Sequence, residues 1–300
     1  MTNQDELFHP VIELPEPVRA ARYRRLVGLE AIKTRLRKEA ALLADPDRLQ
    51  RWARTHHHAD VTALTLFADR APLFVFAGDV GSGKTALAES FGCDLADHMN
   101  VPVWLYRLKL AARGSGLVGA MTALIGNAFA ELAARGQQAR DAKGVNSILV
   151  LVLDEADALA QSREATQMHH EDRAGVDALL AGAHLPVLVM MCTNRVGALD
   201  PAVMRRAAAV FTFARPDSEQ RRAVLTAALA GLDISANTLD KLVQLTGPHG
   251  PRPGYTFSDL TQRLVPSAVL GAFPDGPVTE DQLIALAADL EPSPVFSETA

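Results

Sequence analysis

The sequence predicts an α/β fold, a five-stranded parallel sheet with helices on both faces, followed by a small all-helical domain. Three observations carry this expectation. From residue 73 onward, short continuous apolar runs alternate with helical segments: "LFVFA" (73–77), "VPVWLYRL" (101–108), "ILVLVL" (148–153), "LPVLVMMC" (185–192) and the shorter "AVFTFA" (209–214). Runs of this kind are buried parallel strands joined by crossover helices. The first run leads straight into the glycine-rich "GDVGSGKT" and then into a helical stretch. After Pro216 the strand-like runs stop, and two helix starts follow, Asp217 with Gln220 and Thr279 with Gln282, each with the spacing of a capping box.

In chain order, residues 1–20 hold three prolines among acidic residues and read as an extended arm. "ARYRRLVGLEAIKTRLRKEAALLADP" then has apolar residues at helical spacing and predicts a helix ending near Asp45-Pro46. A second helical piece carries Leu49 and Trp52 and runs into His56, His57 and His58. Neighbours on a helix point about 100° apart, so three adjacent histidines do not converge on one ion and are read as facing solvent. The large α/β domain is expected over 21–215, the helical lid over 216–291 and a loose tail over 292–300.

Composition narrows the function classes. The chain has 300 residues, of which 48% are hydrophobic, enough for a sizeable core. A net charge of −5 removes the broad electrostatic reason to expect a nucleic-acid partner. Two cysteines, Cys93 and Cys192, cannot build a disulfide framework and read as buried thiols in a reducing compartment. The N-terminus is polar and acidic, unlike a secretory signal, and no apolar run approaches the ~18 residues of a membrane span. A soluble cytoplasmic protein is expected.

The chemistry is concentrated in four places. "GDVGSGKT" fits the phosphate-binding pattern G-x-x-x-x-G-K-[ST], and it lies where that pattern must lie, between a buried strand and a helix N-terminus. Glycines let backbone N–H groups curl around phosphates, and the helix dipole favours their charge. Gly78, Val80, Gly81, Ser82, Gly83, Lys84, Thr85 and Ala86 are therefore the candidate ATP contacts. Lys84 would reach the β and γ phosphates, and the Thr85 hydroxyl would ligate Mg²⁺. "LVLDEADAL" ends a second apolar strand in Asp154-Glu155. Asp154 is placed to hold the magnesium shell and Glu155 to polarise the attacking water. The next strand ends in Thr193-Asn194-Arg195, with Asn194 the candidate for orienting that water. Finally, Arg205 and Arg206 precede the last strand.

Taken in order, the glycine loop, the Asp-Glu pair, the strand-tip Asn194, the arginine pair and the helical C-terminal domain resemble AAA+ ATPases over about residues 20–290. In that family an arginine finger reaches the neighbouring subunit's site, so the resemblance implies a homo-oligomeric ring, a hexamer. Such fingers contribute on the order of 10³–10⁵ in rate. Arg206 fits the finger position better than Arg205, because "DPAVMRRA" puts Asp200 six residues before it. "LVGLE" resembles the family's N-terminal linker and would lay Val27 and Gly28 against the adenine. No arginine stands at the second-sensor position in "GYTFSDLTQRL", where Ser258 or Asp259 occupies the neighbourhood.

Leu117-Val118-Gly119 falls where the family places its first pore loop, which grips an extended peptide; a helix-leading loop with a buried leucine is the other reading. "SGLVG", "VDALL" and "TNRVGALDPAVMRRA" look most like the pachytene-checkpoint HORMA remodellers and their bacterial relatives in antiphage cyclic-nucleotide operons. That likeness implies a HORMA-domain protein as partner. Two other readings stand beside it. In a DNA-linked loader or transposition-type ATPase, "RAARYRRL" and "RLRKE" would serve phosphates; in a nucleotide switch with little turnover, Glu155 would be superfluous. The letters Asp-Glu-Ala-Asp at 154–157 also spell a helicase family, but about 75 residues of helical lid leave no room for the second α/β domain that a helicase needs.

Overall fold

The structure is a computed structural model that describes residues 7–59, 61–64, 70–109, 120–141, 144–156 and 187–295. It divides into two compact units, one of Met1–Arg25, Ala31–Ala77 and Thr85–Thr212, the other of Leu26–Glu30, Gly78–Lys84 and Phe213–Ala300. Among the described residues no helix is long and apolar enough to cross a membrane.

The first unit is built on strands β1 (Ile12–Leu14), β2 (Ala71–Gly78), β3 (Val103–Arg107), β6 (Ile148–Leu153), β7 (Val187–Thr193) and β8 (Ala207–Phe213), in the order β1-β3-β6-β7-β2-β8. A small hairpin of β4 (Arg140–Asp141) and β5 (Gly144–Val145) lies outside this sheet. Strands β3, β6, β7 and β2 pair in parallel. Every residue of β6 and β7 is buried, as expected of strands covered on both faces. Cys93 and Cys192 are buried free thiols.

Among the described residues the sheet therefore has six strands where the sequence predicts five. The extra one, β1, pairs antiparallel with β3 through Ile12–Leu105 and Leu14–Val103. It lies within the segment expected to be an extended arm. Three residues between prolines are too few to show a strand period, yet Leu14 and Phe8 are about 1% exposed. The Phe8 ring meets Tyr106 edge-on at 5.3 Å. Burying each side chain contributes roughly 2 kcal/mol, so Phe8 and Leu14 are part of the core.

The single helix expected from residue 21 is two, α1 (Pro17–Arg25) and α2 (Glu30–Ala44). Pro17 suits a first helical position, and Glu16 accepts hydrogen bonds from the backbone N–H of Val18 and Arg19. The break falls at Gly28, whose φ of 80° no helix can hold. Helix α3 (Asp47–His57) follows, with His58 in a left-handed C-cap. The His57 ring packs edge-on against Trp52 at 4.9 Å. Helix α4 (Lys84–Met99) leaves the glycine loop and is tied to α2 by a bidentate pair, Arg37 to Asp94 at 2.6 and 2.7 Å. Helix α5 (Ala120–Gly136) places Ile125, Ala128, Phe129 and Leu132 in the core beside β6 and β7.

The second unit is helical: α7 (Ser218–Ala228), α8 (Ala236–Leu245), a π-helical turn (Asp259–Leu264) running into α9 (Val265–Ala272), and α10 (Glu280–Asp289). The Asp217–Gln220 capping box is formed in both directions. At Thr279 only half of the expected box forms: its hydroxyl accepts from the Gln282 N–H, with no return bond from the Gln282 side chain. Pro266 has no N–H to return one turn back, which accounts for the π turn before it. A second reciprocal box, unread in the sequence, opens the π-turn helix: the Thr256 N–H donates to Asp259 and the Asp259 N–H to the Thr256 hydroxyl.

Asp259 is fully buried. Burial pushes its pKa up, but hydrogen bonds from Thr256, Ser293 and Arg263 outweigh that and hold it at about 2. Ser293, expected in the loose tail, donates to it through both its N–H and its hydroxyl; a buried carboxylate needing donors overrides the disorder that proline and serine suggest.

The depressed pKa gives a stability contribution that is complete above pH ~4 and is lost as pH falls through about 2. Amide exchange across α7–α10 should show Asp259→Asn less stable by about 2 kcal/mol at pH 7, with the gap closing toward pH 2. A gap independent of pH would contradict the assignment.

Candidate nucleotide site

Within the first unit, the register of the parallel strands aligns their carboxyl ends. Ala77 of β2 lies opposite Thr193 of β7, and Leu153 of β6 opposite Met191. The chain leaving each strand therefore enters the same sheet edge, where α/β folds place their ligands. Asp154 and Glu155 follow β6, Asn194 follows β7, and the glycine loop follows β2.

The Thr85 hydroxyl stands 3.1 and 3.2 Å from the two Asp154 carboxylate oxygens, so two residues predicted for magnesium are side by side. Glu155 has φ of 50°, a left-handed conformation rare for a side chain of its size. Its N–H donates to Asp154 Oδ1 at 3.1 Å. Both carboxylates are exposed while the next residue, Ala156, is buried. This turn costs of order 1 kcal/mol and directs successive acids out of the strand. Asn194 is half-buried, and the Arg195 N–H donates to Thr193 Oγ1 behind it.

Arg205 and Arg206 end the short helix α6 (Pro201–Arg206), which Asp200 caps by accepting from the Ala202 N–H. Both are exposed. Leu117, Val118 and Gly119 lie outside the described residues, as does the "VDALL" segment.

The glycine loop belongs to the second unit. Lys84 is 6% exposed, and its ammonium donates to the carbonyls of Gly78 at 2.9 Å and Asp79 at 2.7 Å. The Ser258 N–H donates to the Gly81 carbonyl at 3.1 Å. Gly81 has φ of 75°, and a Cβ there would come within 2.7 Å of Ser258 Cβ and 2.8 Å of Thr256 Oγ1. Glycine is thus required here twice, by backbone conformation and by close approach of the lid. Ser82 is buried, while Val80 is 42% exposed. The Ala86 carbonyl accepts from Ser90 Oγ one turn on. Val27 packs against the lid core, and the Gly28 carbonyl accepts from Gln220 Nε2 at 2.9 Å. Of the two second-sensor candidates, Ser258 touches the loop, whereas Asp259 is turned into the lid interior.

One residue absent from the predicted set contacts the loop directly. Arg215 ends the run after β8, and its Nε donates to Asp79 Oδ2 at 2.7 Å. An arginine immediately before Pro216 was the available signal. Local spacing gives no hint of a partner so distant in sequence.

Four arginines of the basic clusters form ion pairs, while Arg24 and Arg25 are exposed. Arg19 and Arg22 pair with Glu89, Arg37 with Asp94 and Arg35 with Glu39.

Comparison with known proteins agrees with this geometry. Residues 74–215 match the ATPase family associated with various cellular activities (AAA). The chain is 46% identical to CD-NTase-associated protein 6 of Escherichia coli strain MS 115-1, over 97% of this chain and 96% of that protein. It superposes with a TM-score of 0.92 and 45% identity on a chain of the E. coli MS115-1 HORMA:CdnC:Trip13 complex, covering 99% of each. Against Rhizobiales Trip13 the TM-score is 0.74 at 37% identity, over 96% of this chain and 100% of that one.

A methyl group at Gly81 should be costly. Gly81→Ala should weaken nucleotide affinity at least tenfold in a fluorescent-ADP titration, given its positive φ and the two close contacts; unchanged affinity would show that the loop is not held against Thr256 and Ser258. On the whole-length likeness, the chain belongs to the CD-NTase-associated protein 6 group of AAA ATPases and is an ATP hydrolase.

Proposed function

We propose that this ATPase works as a hexameric ring that couples hydrolysis to threading a protein partner, and that the partner is a HORMA-domain protein of an antiphage cyclic-nucleotide signalling complex. The observation that carries the proposal is the 99% mutual coverage, at 45% identity, with a chain of the HORMA:CdnC:Trip13 complex. The site it uses is the one read from the sequence, and a cytoplasmic location follows from that role.

Two hard oxygen donors, Thr85 and Asp154, lie adjacent, a set that suits a small divalent ion keeping most of its water. Thr85 and Asp154 would hold magnesium there, and the chemistry it would supply is neutralisation of phosphate charge. Lys84 exchanges its loop carbonyls for phosphate oxygens. Glu155 accepts a proton from the attacking water as its oxygen bonds to the γ-phosphorus and ADP departs, and Asn194 orients that water. Arg206, exposed at the end of α6, serves a neighbouring subunit's site, with Arg205 beside it as the alternative finger. Val27 and Gly28 flank the adenine. Leu117 and Val118 grip the threaded chain, with Gly119 permitting the stroke.

Two variants separate hydrolysis from threading. Glu155→Gln should bind ATP yet lose ~10²-fold or more in turnover. Leu117→Ala with Val118→Ala should keep ATP turnover but lose disassembly of a HORMA-domain complex. Unimpaired disassembly by the double variant would refute threading, and unimpaired turnover by Glu155→Gln would remove that residue from the chemistry.

A further inference from the structure

We propose that Arg215 is a positioning residue for the nucleotide loop, and that through it the fit of the loop depends on the docking of the C-terminal segment 291–295. This rests on residues 78–86 being the nucleotide site.

The Arg215 guanidinium is shared three ways. Nε donates to Asp79 Oδ2 at 2.7 Å, Nη1 to the Gly254 carbonyl at 2.6 Å and Nη2 to the Ser293 carbonyl at 2.8 Å. Its side chain is 14% exposed and that of Asp79 19%, so the pair is shielded from solvent. A planar fork with donors fixed in direction can satisfy three acceptors at once, and lysine cannot reproduce that geometry. Asp79 is the second residue of the glycine loop, and its own carbonyl is one of the two that hold Lys84. Fixing the Asp79 carboxylate therefore fixes the turn on which the Lys84 ammonium rests.

Ser293 connects this grip to a second one. Its carbonyl anchors Arg215, while its N–H and hydroxyl donate to Asp259 at 3.1 and 2.7 Å. Asp259 in turn caps the turn beginning at Thr256, and the neighbouring Ser258 N–H donates to the Gly81 carbonyl. The start of the segment is also held, since the Glu291 carbonyl accepts from Arg263, and Leu290 just before it is anchored by Arg252 and Tyr255 donating to its carbonyl. Undocking the segment thus removes one acceptor from Arg215 and two donors from Asp259, loosening both holds on the loop together. Nucleotide binding and segment docking must then favour each other reciprocally.

The test uses the full-length protein, fluorescent mant-ADP as probe, and steady-state ATP hydrolysis. Arg215→Lys, Asp79→Asn and a chain ending at Leu290 should each raise the mant-ADP Kd roughly tenfold and raise KM for ATP more than they lower kcat. Combining Arg215→Lys with the shortened chain should raise Kd no further than the larger single effect, the signature of groups acting as one unit. A chain lacking only 296–300 should bind like the parent. Asp79→Asn does not alter the lid and reports on the loop even where a lid variant folds poorly. Wild-type Kd in Asp79→Asn and the shortened chain, or effects that multiply on combination, would overturn the proposal. Normal mant-ADP binding by Lys84→Ala would instead overturn the underlying assignment of the nucleotide site.

Discussion

A phosphate-binding loop must keep its backbone N–H groups available for its ligand, so it has to be held in shape by bonds to its carbonyls and side chains. That constraint organises the rest of the nucleotide site. Lys84 donates to the carbonyls of Gly78 and Asp79, Ser258 donates to the carbonyl of Gly81, and Arg215 holds the Asp79 carboxylate. Each of these bonds is made to an acceptor, which shapes the loop without occupying its donors. Lys84 has a double part, since the ammonium that steadies the loop is also the group chemically suited to bind phosphate.

The sheet meets a complementary requirement. Strands β6 and β7 are buried along their whole length, and this rigidity fixes where Asp154, Glu155 and Asn194 emerge. The Glu155 backbone is held in a left-handed turn, a local strain that a firmly packed strand can sustain. Loose strand ends would let the two carboxylates trade places. Here the Asp154 carboxylate is tied both to the Glu155 N–H and to the Thr85 hydroxyl, so the two acids are kept in distinct settings.

Legibility in the sequence followed the range of the interaction. The glycine loop, the Asp-Glu strand end and the helix caps at Asp217 and Thr279 are local requirements, each met within a few residues, and all are readable. The central strands were readable because burial on both faces leaves a continuous apolar run. Strand β1 was not, being three residues whose only reason to extend is β3 beside it. The break at Gly28 hid within an otherwise helical pattern because a glycine near a helix end and one inside it look alike. The Arg215–Asp79 pair and the docking of Ser293 on Asp259 join residues remote in sequence, and no local periodicity encodes them. The family likeness then supplied what neither spacing nor packing could, the kind of partner to look for.

Held through Arg215, Ser258 and Asp259, loop and lid should respond to nucleotide together. Amide hydrogen exchange with and without ADP measures this directly. Protection should rise in the loop at 78–84 and, in parallel, at 254–259 and 290–295, with Lys84→Ala abolishing all three changes. Protection confined to the loop, with the lid segments exchanging as before, would show that the loop takes up nucleotide without the lid.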